Sequence, residues 1–124
     1  MGKKVPVSRL FKKIEKYCED NLYIFTGKTH WVLEYELIPK LIKRGIDIKV
    51  LCYSDDINSE SAKQLRDWGI SVKSYPYIDL EIKGLIVDGR FCSLYKEHSM
   101  VIYKDTEIVN CLKVLFLNIF GPNN

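Results

Sequence analysis

Long apolar runs are missing from this sequence. The longest uncharged stretches, such as residues 114–124, are short and broken by Asn118, Gly121 and Pro122, so they cannot span a bilayer. The opening Met1-Gly2-Lys3-Lys4-Val5-Pro6 lacks the apolar core of a secretory signal and the Ser or Thr of a myristoylation signal, so a cytoplasmic chain is expected. Metal-type cysteine spacing is absent too. Cys18, Cys52, Cys92 and Cys111 contain no C-x-x-C pair, and His30 and His98 stand apart from them, which excludes a zinc pattern. Each cysteine lies in an apolar stretch, so buried free thiols are expected. Charge of one sign is also scarce. The net charge is +3, and residues 1–20 hold all of the excess, six Lys/Arg against three acids. An excess so small and so local reads as a solvated helix face, and direct DNA binding is not expected.

What is present is globular composition: 124 residues, 47% hydrophobic and 28% charged, which suits one domain spanning residues 1–124. Val7, Leu10, Phe11, Ile14, Tyr17 and Cys18 follow helical spacing. Residues 22–25 form a short apolar run closed by Thr26-Gly27, the pattern of a buried strand. The spacing predicts a helix over residues 31–44 stopped by Gly45, with Pro39 either kinking it or marking its first turn. Residues 46–52 alternate as a strand, residues 58–68 read as a helix capped by Asn58 or Ser59, and residues 70–74 make a third strand. Strands alternating with helices imply parallel pairing through crossovers. Residues 82–87 and 91–95 then flank Asp88-Gly89, a strong hairpin signal, with another strand at residues 100–103. Asp105 or Thr106 caps a last helix whose apolar positions are Ile108, Cys111, Leu112, Leu115 and Ile119. The expected architecture is therefore α/β, a mixed, mainly parallel sheet with helices on both faces and a C-terminal hairpin.

Gly27-Lys28-Thr29 invites a phosphate-loop reading, but the earlier glycine of that motif would fall at Leu22, so the motif fails. His30 and Trp31 sit at a strand end, where parallel sheets form ligand crevices. Ser54 belongs to a second such loop, residues 53–58, and residues 75–81 form a third. Lys83 by itself also fits an outward strand residue, and Asp88 a turn former.

The stretch Asp79-Leu80-Glu81-Ile82-Lys83-Gly84-Leu85-Ile86-Val87-Asp88-Gly89 resembles the H-x-K-x-x-x-x-D strand and turn of the phospholipase D superfamily. Lys83 and Asp88 are in register, and Glu81 stands where the family has its histidine. Residues 37–50, with Arg44-Gly45, and residues 65–72, with Trp68-Gly69, look like the preceding helix-to-strand steps of that fold. Residues 104–120 look like its last helix. The resemblance covers about residues 7–120 of the chain. It implies a phospholipase-D-like half, because active members bring two such motifs together at one site. In those members the histidine attacks the phosphodiester and the lysine binds phosphate oxygens. A carboxylate at Glu81 would add negative charge beside an anionic phosphate, where that chemistry needs the reverse. Ser93 falls where the family often carries a serine and asparagine, but no asparagine follows it.

The non-catalytic relatives with the nearest pattern are the phospholipase-D-like effector domains of TrmB-type transcriptional regulators, some of which respond to sugars. The resemblance thus implies a binding or regulatory module without a catalytic residue. Its candidate ligand-binding residues are Glu81, Lys83, Asp88, His30 and Ser54, its ligand a small molecule such as a sugar, and neither a cofactor nor a metal is implied. A protein partner is a further option. A homodimer is expected, with residues 81–88 of the two copies facing each other and Lys83 of each offsetting the other's Glu81. The competing reading is a phosphodiesterase or nuclease with an altered site that includes His98.

Overall fold

A computed structural model describes residues 2–75, 83–96 and 99–121. Its elements run β1 (Lys3–Val5), α1 (Val7–Tyr17), β2 (Asn21–Phe25), α2 (His30–Glu34), α3 (Leu37–Lys43), β3 (Asp47–Cys52), α4 (Glu60–Asp67), β4 (Ser71–Ser74), β5 (Gly84–Val87), β6 (Phe91–Lys96), β7 (Ser99–Tyr103) and α5 (Thr106–Phe120). The strands make one sheet in the order β1-β7-β6-β5-β2-β3-β4. The sheet is mixed, as its sequence implies, but the parallel part is smaller than expected. Only β2-β3 and β3-β4 are parallel, and the other four pairs among the described residues are antiparallel. The hairpin strands account for this: β5 adds antiparallel to β2, and β6, β7 and β1 follow it outward.

Strand β1 has no counterpart in the sequence reading. Lys3-Lys4-Val5 carries no strand pattern, and it becomes one by pairing with β7, Lys3 opposite Ile102 and Val5 opposite Met100. Lysines on such an edge discourage pairing with another chain. The single helix expected over residues 31–44 is two. Tyr35 adopts an extended conformation (φ −103°, ψ 130°) that ends α2, and Pro39 falls in the first turn of α3, where its missing N–H has no helical partner to lose. Ser59 caps α4, its side chain accepting from Ala62 N at 3.1 Å.

Alternation in the central strands divides the core. Ile48, Val50 and Cys52 of β3 meet Leu10 and Ile14 of α1, Leu41 of α3 and Leu65 of α4 on one face. Leu51, with Tyr23 and Phe25 of β2, meets α5 on the other. Among the described residues, helices thus cover both faces, four against one. Here the expected stripe of α5 is corrected. Leu112 and Ile119 pack against the core as expected, but the fully buried residues are Val109, Phe116 and Phe120, whereas Ile108 and Leu115 are more than a third exposed and Cys111 is exposed. The apolar arc of the helix is wide, so spacing alone does not choose which part of it is buried. The choice follows the aromatic fit of Phe116, stacked on Tyr23 at 5.0 Å and edge-on to Phe25 at 5.0 Å. Cys18, Cys52 and Cys92 are buried free thiols as expected. Burial pushes Cys52 and Cys92 up to about 11, with Asp56 adding to the effect at Cys52. No helix among the described residues is long and apolar enough to cross a membrane.

Candidate binding groove

The groove is built where the parallel strands end. Beyond Phe25, Thr26 N still donates to Leu51 O at 2.8 Å, and Tyr53 N donates to Gly27 O at 3.1 Å, so the loops after β2 and β3 are tied together. The Tyr53 ring lies so close to Gly27 that a Cβ there would stand 2.4 Å from it, which explains the glycine. A buried cluster then sets the start of α2. Thr29 donates to Asp56 Oδ2 from both its backbone N (2.9 Å) and its hydroxyl (2.7 Å). Because that hydroxyl has one proton, Ser61 Oγ, 2.7 Å away, must be the donor to Thr29 Oγ1. Thr29 and Asp56 are both buried. This pins His30 and Trp31, the next residues, at the rim. Trp31 Nε1 donates to Thr26 Oγ1 (2.7 Å), whose own proton goes to Lys28 O (2.7 Å).

The opposite wall comes from the hairpin. Phe25 pairs with Gly84 across the β2-β5 ladder, and Tyr95 N donates to Lys83 O at 2.8 Å. Lys83 and Tyr95 therefore face the loop of Thr26 to His30. Between the walls is a cavity of about 360 Å3. Its floor is apolar, with Phe11, Phe25, Leu85 and Met100, and Trp31, Tyr35, Tyr53 and Tyr95 add aromatic surface. Phe11 and Tyr35 pack edge-to-face at 4.5 Å. The cationic or imidazole lining residues among those described are Lys28, His30 and Lys83. Lys28 lies 3.5 Å from Asp55 on the exposed rim, while Lys83 is exposed and has no ion-pair partner among the described residues. No group of three or more His, Cys, Asp or Glu among the described residues is arranged to hold a metal.

The structure brings His30 and Lys83 to one groove. It does not bring Asp88 or Ser54 there. Ser54 is exposed in the loop after β3 and is not part of the lining. Asp88 lies at the far end of β5, five residues and about 16 Å of strand from Lys83. Its carboxylate accepts from the backbone N–H groups of Glu19 (2.8 Å), Asp20 (2.8 Å) and Asn21 (3.0 Å) and from the Cys18 thiol (3.6 Å). Burial alone would raise its pKa, but these four donors favour the carboxylate more, and the net direction is downward. Burial, and after it the same carboxylate, push the Cys18 thiol up to about 12. Asp88 also occupies the hairpin turn: it and Gly89 have φ of 56° and 67°, and Arg90 N donates to Val87 O at 2.9 Å. Ser93, opposite Leu85, is fully buried, and its hydroxyl has no partner among the described residues. Glu81 and His98 lie outside the described residues.

Sequence reasoning missed Phe11, Tyr35 and Tyr95 of the aromatic walls, whereas Tyr53 lies in the loop of residues 53–58 that it read as part of a crevice. A signal for Tyr95 existed, since a hairpin at Asp88-Gly89 must return a residue of β6 to Lys83. For the others no local pattern exists, because each belongs to a different element. Asp56 was missed as well.

No family model matches the sequence, and no curated protein matches it. Solved structures do match in fold. NucT from Helicobacter pylori superposes with a TM-score of 0.73 at 15% identity, over 96% of this chain and 93% of that one. Nuc from Salmonella typhimurium, a phospholipase D family member, gives 0.68 at 11% identity over 97% and 92%. TrmBL2, an archaeal chromatin protein with a novel mode of DNA binding, gives 0.74 at 15% identity, over 99% of this chain but 51% of its own. The fold is phospholipase-D-like.

Proposed function

On the premise of a phospholipase-D-like fold, we propose that this chain is a non-catalytic binding or regulatory module that takes a small molecule in the groove beside Lys83. The reading follows the pattern of TrmB-type effector domains, and Glu81, in place of the family's histidine, argues against phosphodiester cleavage. The observation that carries it is the groove itself: an aromatic-walled cavity of about 360 Å3, in the usual size range of ligand sites, with Lys28, His30 and Lys83 at its rim. The chain would act in the cytoplasm as a homodimer, with residues 81–88 near the twofold axis. A single-chain mass by light scattering at micromolar concentration rejects that dimer, and an unchanged dissociation constant in Glu81→Gln rejects the proposed Lys83 to Glu81 contact across it.

One observation favours the competing phosphodiesterase reading. His30 shares the groove with Lys83 and supplies an imidazole that Glu81 does not. Turnover of bis(4-nitrophenyl) phosphate and of DNA separates the two readings. The binding module shows no rate above that of Lys83→Ala, whereas a rate lost in both Lys83→Ala and His30→Ala replaces it with an enzyme.

A further inference from the structure

We infer that the groove selects a flat, apolar-bodied anion, an aromatic carboxylate or sulfonate of about two fused rings, over a sugar and over bare phosphate; the inference rests on reading the groove as a binding site. A sugar needs a hydrogen-bond partner for each hydroxyl it buries. Among the described lining residues there is no Asp, Glu, Asn, Gln or Arg. The threonine hydroxyl of the lining is already committed, because Thr26 Oγ1 both accepts from Trp31 Nε1 and donates to Lys28 O. A polyol would leave hydroxyls facing Phe11, Leu85 and Met100 without partners, and burying an unpaired hydroxyl is unfavourable.

The apolar walls instead suit a ring system. Tyr35 and Tyr95 are 37% and 45% exposed, leaving aromatic surface for a ligand to cover. The cavity, at about 360 Å3, is more than twice the ~150 Å3 that holds a benzene, which sets the body at about two rings. Charge sets the head group. Within one chain Lys28 shares its charge with Asp55 and Lys83 has no ion-pair partner among the described residues, so Lys83 is the main anchor for an anion, in competition with the partner's Glu81 wherever the proposed dimer contact forms. Inorganic phosphate has only Lys83 to engage and leaves the apolar walls wet, so its binding is expected to be too weak to register.

Four probes titrated into the full chain by calorimetry, with backbone NMR shifts to locate binding, test this. The probes are 2-naphthoate, its neutral counterpart 2-naphthylmethanol, maltose and inorganic phosphate. The expected result is saturable 2-naphthoate binding that shifts Gly27, Lys28 and Tyr95, with the alcohol at least about tenfold weaker and maltose and phosphate silent. Lys83→Met should bring naphthoate down to the affinity of the alcohol and leave the alcohol unchanged, and Tyr95→Ala should weaken both alike. Lys83 is exposed, so its replacement is not expected to unfold the chain, and an unchanged melting temperature checks this. Maltose or phosphate binding in the groove more tightly than naphthoate overturns the inference while leaving the binding-module reading standing. Silence from all four probes overturns it too, and naphthoate binding that ignores Lys83→Met does the same. The turnover assay decides the broader reading separately.

Discussion

Lys83 and Asp88, two polar residues of one short motif, flank the two ends of β5, and the sheet treats them oppositely. At the start of the strand Lys83 is exposed, has no ion-pair partner among the described residues and faces a groove. At the other end the Asp88 carboxylate takes three backbone N–H groups and a thiol, and joins the hairpin turn to the loop between α1 and β2. A second carboxylate, Asp56, does comparable work at the groove end by holding Thr29. Each end is thus fastened by an aspartate accepting from main chain, and at the groove end Lys83 also stands without an ion-pair partner among the described residues. Residues adjacent in a motif need not act at one place, because strand length alone separates them by more than side chains can reach.

The contrast is sharpest in stability. Asp88→Ala leaves three backbone donors without their acceptor and puts alanine at positive φ, so a loss of about 3 kcal/mol is expected in urea denaturation. A loss below about 1 kcal/mol would mean that solvent replaces the clamp. Asp56→Ala removes the acceptor for two Thr29 donors in a buried setting, and about 2 kcal/mol is expected. This variant should also perturb the NMR signals of His30 and Trp31 while leaving those of Glu19 to Asn21 in place, and the reverse pattern would break the assignment of one clamp to each end.

Acid should weaken the Asp88 end. The folded pKa of Asp88 is depressed below its ordinary 3.8, so its contribution is fully present above about pH 4 and is lost as pH falls through the folded value. The stability difference between the wild type and Asp88→Asn is therefore expected to be constant near neutrality and to shrink below about pH 4. A difference that grows on acidification would reverse the sign of the argument. The smallest effect belongs to Lys83→Ala, which should change the stability of the unliganded chain by no more than about 0.5 kcal/mol, as substitutions at exposed positions that hold no scaffold contact do. A larger loss would make Lys83 part of the scaffold.

Much of the fold was legible locally. The helical spacing of Leu10 and Ile14, the Asp88-Gly89 turn and the Ser59 cap are short-range signals, and each element formed where its pattern lies. The register of the hairpin was not legible. A bare two-residue turn would pair Val87 with Arg90, whereas Val87 pairs with Phe91, and a shift of one residue moves every side chain to the other face. That register places Tyr95 across from Lys83 on the groove side. In the site, His30 and Trp31 were visible as strand-end residues, while the aromatic walls were scattered over α1, the loops after α2 and β3, and β6.

The sequence by itself determined the element types, the α/β class and the turn chemistry, because periodicity, capping and positive-φ preferences act over a few residues. Only the tertiary structure decided the rest. Lys3-Lys4-Val5 became a strand by pairing with residues about a hundred positions away, and α5 chose its buried face by the fit of Phe116 to Tyr23 and Phe25. Asp88 became a clamp because the chain returns residues 19–21 to it, and the groove exists because two strand-end loops and a hairpin converge. These outcomes depend on which distant surfaces exclude water together, and no local window of the sequence contains both partners.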